Sequence, residues 1–277
     1  LGIAATQSSG LREMFGTMVK PMHPGNAARN GLLAALLASK DFTSAEQGIE
    51  GRRGFANVLA TERNFAAITE KLGATWEIAL NTYKPFACGI VEHPAIDGCI
   101  QLRNDHHLKA GDIESISLGV HPLVLELTGK KTPQAGLEGK FSVYHSCAVA
   151  IIHGAAGEAQ YSDEAVRDPG VIALRDRVTA TVDRAMHEDQ VQVSIKLKSG
   201  RTLEKYVEHA VGSLGRPMSD ADLEAKFRGL AQGILSTSET DNLIRLCWDV
   251  AKLKDAGAVA RASVPAQKKP ARRAQGR

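Results

Sequence analysis

The chain has 277 residues, of which 43% are apolar and 23% charged, a balance that suits one large or two ordinary folded domains and excludes wholesale disorder. Aromatic residues make up 5%, so the core has to be built mostly from Ala, Leu, Ile and Val. The net charge of +3 is set by the C-terminal tail, where Arg261, Lys268, Lys269, Arg272, Arg273 and Arg277 stand without an acid; the body before them carries −3, the wrong sign for a nucleic-acid-binding domain.

No stretch reaches the ~18 to 20 apolar residues that span a bilayer, and the N-terminus has none of the layout of a signal peptide. Neither a membrane nor a nucleic-acid partner is therefore expected, and the expected compartment is the cytoplasm. Cys88, Cys99, Cys147 and Cys247 show no C-x-x-C spacing, so reduced, mostly buried thiols are expected rather than a disulfide framework or a zinc site. The chain opens without Met, inside what reads as a helix, LGIAATQSSGLREMFG, and is expected to be a fragment.

Asn26 to Ser39, NAARNGLLAALLAS, is apolar around nearly its whole circumference, which places such a helix inside a bundle. Thr43 or Ser44 can cap a short helix over SAEQGIEG, with Gln47 at capping-box spacing. After a turn at Gly51 to Gly54, more helix is predicted through Lys71. From Trp76, WEIALNTYKPFA reads as extended and VEHPAIDGCIQLRNDHHL as helical. Ile113 to Thr128 alternates and is β-branched, which predicts a strand. Gly139 to Gly154 is an apolar helix entered through a glycine-rich loop, and Asp163 to Arg177 is helical with a break at Asp168-Pro169-Gly170.

Val178 to Ala185 and Val191 to Lys198 are predicted strands, the latter turning at Ser199-Gly200 into Thr202 to Val207. Ser219 caps a helix over ADLEAKFRGLAQGIL, and a last helix runs from about Glu239 to Lys254. This order predicts a mainly α fold with an α+β insert: helical domain over 1–75, α+β insert over 76–209, helical return over 210–258 and a disordered basic tail over 259–277.

Walker A, G-x-G-x-x-G, G-x-S-x-G and H-E-x-x-H motifs are missing from the sequence. His106 and His107 are adjacent and diverge on a helix, so no metal site is expected there. Three segments carry candidate chemistry. In GTMVKPMHPGNAARNG, Lys20 and His23 sit in a Gly/Pro-bounded loop before the apolar helix, whose free N–H groups and dipole favour a carboxylate. His23 can move protons near neutral pH; a solvated Lys and a capping His are the competing reading. In YKPFACGIVEHPAIDG, Lys84 precedes a Pro that enforces extended backbone. In KFSVYHS, Tyr144 and His145 begin an apolar helix, where a core Tyr and a satisfied His are the competing reading.

Together, GTMVKPMHPGNAARNGLLAALLASKDFTSAEQGIEGRRGF, KPFACGIVEHPAIDG, KFSVYHSCAVAIIHG and SDADLEAKF resemble, in order and spacing, the MmgE/PrpD family, which includes 2-methylcitrate dehydratase, cis-aconitate decarboxylase and iminodisuccinate epimerase. The resemblance runs from Leu1 to about Lys254. It implies a helical domain interrupted by an α+β lid, a site between the two, and further helices and acidic and histidine groups upstream of Leu1. The active-site lysines of the G-T-x-x-K-x-x-H and K-P-F blocks fall on Lys20 and Lys84. The tyrosine of the F-S-x-x-Y pattern falls on His145, with Tyr144 beside it, and a histidine five residues after the second lysine is Gly89 here. Those two departures argue against a cis-aconitate decarboxylase.

The resemblance thus implies a cofactor-independent, homodimeric enzyme acting on a small di- or tricarboxylate by α-proton abstraction, a dehydratase-like lyase first. Lys20 and Lys84 hold carboxylates, and His23 and His145 are candidates for proton transfer. An epimerase of an amino- or imino-dicarboxylate is the alternative reaction; a truncated, non-catalytic helical interaction protein is the alternative of another class. The isolated chain is expected to show no turnover.

Overall fold

The structure, a computed structural model, describes residues 1–266. Its order is helical, then mixed, then helical: α1 (Val19–Ala38), α2 (His93–His106), β1 (Ile113–Val120), α3 (Pro122–Thr128), α4 (Val143–His153), α5 (Asp163–Arg167), α6 (Pro169–Arg175), β2 (Val178–Val182), β3 (Val191–Leu197), β4 (Thr202–Val207), α7 (Asp220–Ala231), α8 (Thr237–Trp248) and α9 (Gly257–Ala262). This is an α-rich fold with an α+β part. Among the described residues no helix is long and apolar enough to cross a membrane.

The four strands form one mixed sheet in the order β2-β1-β3-β4. β1 and β2 run parallel, joined through a helical stretch that includes α3 to α6, whereas β1–β3 and β3–β4 are antiparallel. Alternation decides the faces: Ile116, Leu118 and Val120 of β1 and Val191, Val193 and Ile195 of β3 are buried, as period-2 patterning requires. α2 packs on β3 and β4, and Gly98 makes this approach possible: a Cβ there would lie 2.8 Å from the Val193 Cγ2. α4, buried from Val143 through Ile151, packs between α2 and α6. Burying nine consecutive residues needs neighbours all round the helix, which its uninterrupted apolar sequence allows.

Several sequence expectations change. α1 starts at Val19, not Asn26, so Lys20, His23 and Pro24 lie in the helix and not in a loop before it. Pro21 falls in the first turn, where an amide has no intrahelical partner, and Pro24 removes one bond to the Lys20 carbonyl. Nor is α1 enclosed: Ala34 is its one buried residue, while Leu32 is 64% and Leu36 57% exposed. The opening segment is helical over Gly2–Ala5 and Arg12–Met14 alone. Residues 42–54 form bends and turns in place of the capped helix, and the helix expected through Lys71 is two short pieces, Phe55–Leu59 and Ala66–Thr69. Glu77–Leu80 is a 3-10 turn where extended chain was expected.

β1 stops at Val120 because His121 accepts the Leu123 N–H and caps α3, with Pro122 at its first position. The short helix α9 enters the segment expected as a disordered tail, and the Ala266 amide donates to Glu239; the remainder of that tail, 267–277, lies outside the described residues.

Candidate functional site

A cavity of about 400 Å3 lies where the start of α1, the 84–91 segment, the end of α3 and the loop before α4 meet; its wall includes Lys20, Lys84, Gly89, Thr128, Lys140 and Phe141. Each arrives for a local reason. The first turn of α1 presents Lys20, and Phe15 stacks 5.8 Å from Phe141 across the cavity mouth, with the Lys20 ammonium 6.0 Å from the Phe15 ring centre, the outer limit of a cation–π contact. Lys84 precedes Pro85 and curls back, so that Nζ donates to the Cys88 carbonyl at 3.0 Å. The Gly89 amide donates to the Lys140 carbonyl at 3.0 Å, which clips the 84–91 segment to the loop carrying the third lysine.

Gly89 is held in a tight place: a Cβ there would stand 2.7 Å from the Thr128 Cγ2 and 3.1 Å from the Glu92 Oε1. No side chain fits without displacing one of them.

Three lysines on one wall make an electropositive pocket, but they are not equivalent. Lys140 is bound to Glu158 at 2.6 Å. Among the described residues, Lys20 and Lys84 have no carboxylate partner within ion-pair distance. Burial lowers the Lys84 pKa below the usual lysine value, and the Lys20 charge lowers it further.

Beneath the wall lies a buried polar cluster. The Ser146 hydroxyl donates to the Glu92 Oε2 and pairs with the Tyr161 hydroxyl at 2.8 Å. Glu92 is fully buried, and burial pushes its carboxyl well above the ordinary range; its Oε1 has no hydrogen-bond partner among the described residues. Next to it, burial and the Lys84 charge hold His93 at a pKa of about 4, so its ring is neutral at physiological pH. Cys88 lines the cavity, and burial keeps its thiol protonated.

Of the five residues picked from the sequence, the fold brings Lys20 and Lys84 to one cavity. His23 instead packs its ring against Gly10. Tyr144 lies under the Lys131 ammonium. His145 is buried with its Nε2–H donating to the Gln160 carbonyl at 2.8 Å and its Nδ1 unpartnered; neither ring lines the cavity. Sequence reading passed over Lys140, Glu92, Ser146 and Tyr161. The K-F-S and V-E-H-P stretches were in view, yet nothing local distinguishes their charged residues from surface ones. No group of three or more His, Cys, Asp and Glu side chains among the described residues is placed to hold a metal ion.

Comparison with known proteins covers nearly the whole chain. A model of the MmgE/PrpD C-terminal domain matches residues 86–250, and one of the MmgE/PrpD N-terminal domain matches residues 1–68. Cis-aconitate decarboxylase of Aspergillus terreus is 27% identical over 280 residues, covering 92% of this chain and 56% of that protein. The human and mouse proteins of the same name are each 23% identical, covering 92% and 94% of this chain and 55% of their own length. The chain thus spans about half the length of the curated relatives it matches.

Proposed function

Because the chain belongs to the MmgE/PrpD family, we propose that it acts on a small di- or tricarboxylate by removing a proton α to a carboxylate, in a lyase reaction of the dehydratase kind. The observation that carries this reading is the convergence of Lys20 and Lys84, from two distant segments, on one cavity without a carboxylate partner among the described residues. Loss of an α-proton spreads negative charge from carbon onto the carboxylate oxygens. Two ammonium groups, that of Lys84 anchored on the Cys88 carbonyl, favour that enolate-like dianion over the less charged ground state, which is where rate acceleration originates. The apolar part of the wall, Phe15, Leu127, Leu137 and Phe141, lowers the local dielectric on that side and strengthens both attractions.

Of the histidines expected to take the proton, His145 is kept neutral by burial and has an unpartnered Nδ1, the state a base needs. It stands behind Gly139, where a Cβ would meet its ring at 3.3 Å, and does not itself line the cavity. The departures at Gly89 and His145 from the decarboxylase pattern favour elimination over decarboxylation.

The reaction class is tested by incubating the full-length protein with candidate hydroxy-polycarboxylates in deuterium oxide. A lyase produces an unsaturated product with new ultraviolet absorbance, together with deuterium at the α-carbon of recovered substrate. Inverted configuration without that absorbance supports an epimerase, and neither signal across the panel rejects the reading.

A further inference from the structure

We infer that Lys226 is a positioning residue for Lys84: from α7, its ammonium holds the main-chain carbonyl of Lys84 and so fixes where that lysine stands at the cavity. The inference rests on the reading that Lys84 receives a carboxylate, and it extends the site to a helix far along the chain. Lys226 lies in SDADLEAKF, residues 219–227, which contributes no side chain to the cavity wall.

The 82–86 stretch needs such an anchor. It belongs to no helix or strand, and among the described residues none of its amides or carbonyls is in a backbone–backbone hydrogen bond. The Lys226 Nζ supplies a hold by donating to the Lys84 carbonyl at 2.7 Å. Gly212, at φ +88°, closes on the same stretch: a Cβ there would stand 2.5 Å from the Tyr83 carbonyl oxygen and 2.6 Å from the Pro85 Cδ. The Lys84–Pro85 step is thereby gripped by α7 and by the loop before it.

From this base the Lys84 side chain curls to the Cys88 carbonyl. A base free to shift would carry the ammonium with it, and a misplacement of about 1 Å is enough to cost a site much of its effect. Charge does not bring the two lysines together, since after burial and Lys20 the Lys226 charge further lowers the Lys84 pKa. The carbonyl bond holds them against that repulsion. α7 has other ties, to α8 through Arg228–Asp241 and through the Trp248 indole N–H, which donates to Glu224 at 2.9 Å, so a variant at Lys226 should fold.

The test is calorimetric titration with succinate at pH 7 in a double-mutant cycle of Lys226→Met and Lys84→Met. Lys226→Met should weaken succinate binding at least about fivefold, part of what a hydrogen bond from a charged group is worth. On the Lys84→Met background the same change should cost less than about twofold, because its effect passes through Lys84. Lys226→Arg keeps a donor for the carbonyl and should recover most of the loss, with melting temperatures little changed throughout. Unchanged affinity in Lys226→Met, an equal loss on both backgrounds, or no recovery in Lys226→Arg overturns the inference and leaves the role of Lys84 standing. Failure of the unsubstituted chain to bind succinate, or full affinity in Lys84→Met, rejects the cavity reading itself, and the inference with it.

Discussion

The Lys84 ammonium donates to the carbonyl of Cys88, four residues on, at 3.0 Å, and that single bond decides which way the lysine faces. Without it the side chain would be free to leave for solvent; with it, the charge is fixed on the wall that also bears Lys20. The functional account turns on this placement, and the first prediction removes the charges. In the full-length protein, Lys20→Met and Lys84→Met should each lower kcat/KM by at least ~100-fold, about 2.7 kcal/mol of transition-state stabilisation. The melting temperature should change little, because neither lysine is in an ion pair among the described residues. Near-normal turnover in either variant would remove that lysine from the site.

Two buried neighbours predict opposite pH dependences of stability. His93 has its folded pKa depressed from 6.5 to about 4; the unfolded chain binds the proton more readily, so stability is lost as pH falls from 6.5 towards 4. That loss is about 3 kcal/mol by pH 4. Glu92 has its folded pKa raised by burial, so the folded state holds the proton more tightly and stability falls as pH rises from 4.5 towards that raised value. Denaturant unfolding across pH should show the acid-side loss shrinking in His93→Gln and the alkaline-side loss shrinking in Glu92→Gln. An unchanged profile in both variants would contradict the burial assigned to the pair.

Gly89→Ala should destabilise the fold by about 1–3 kcal/mol, the usual range for overpacking, since the new Cβ would stand 2.7 Å from the Thr128 Cγ2. Thr128 cannot turn away cheaply, because its hydroxyl donates to the Val124 carbonyl at 2.5 Å. Thr128→Ser deletes the obstructing methyl and keeps the hydroxyl, so it should recover most of the loss when combined with Gly89→Ala. Additive costs in the double variant would locate the strain elsewhere.

In the first eighty residues Leu32, Leu36, Val58, Leu59, Ile68 and Leu72 are each more than half exposed, and apolar surface of this kind marks association sites where it is contiguous. The isolated chain should bind the dye ANS and self-associate on sedimentation. Leu32→Glu combined with Leu36→Glu should reduce both effects; a dye-silent monomer would show that this surface is covered in solution.

What the sequence disclosed depended on how local the cause was. α2, the β3–β4 hairpin with Gly200 at φ +87°, and the Ser219 cap of α7 follow from neighbouring residues, and each was legible. The end of β1 at Val120 hinged on a His-Pro pair, a helix-start signal overridden by the continuing apolar alternation. α1 was legible as a helix, but its burial was not, because an all-round apolar pattern states a need for neighbours without supplying them. At the site, Lys20 and Lys84 were singled out from their own segments, and their active-site role came from the family resemblance. Lys140 joins them through one backbone bond from Gly89, and Glu92 is made unusual by its burial, with Ser146 of α4 donating to it; both contacts link segments far apart in the chain, which periodicity does not report.

The central claim, that Lys20 and Lys84 act together on one carboxylate ligand, is tested most directly by succinate affinity in the wild-type chain, Lys20→Met, Lys84→Met and the double variant. A charge-assisted hydrogen bond in a partly desolvated site is worth about 1.5–3 kcal/mol, so each single variant should bind at least about tenfold more weakly than wild type while keeping its melting temperature. Wild-type affinity in both single variants would contradict the account.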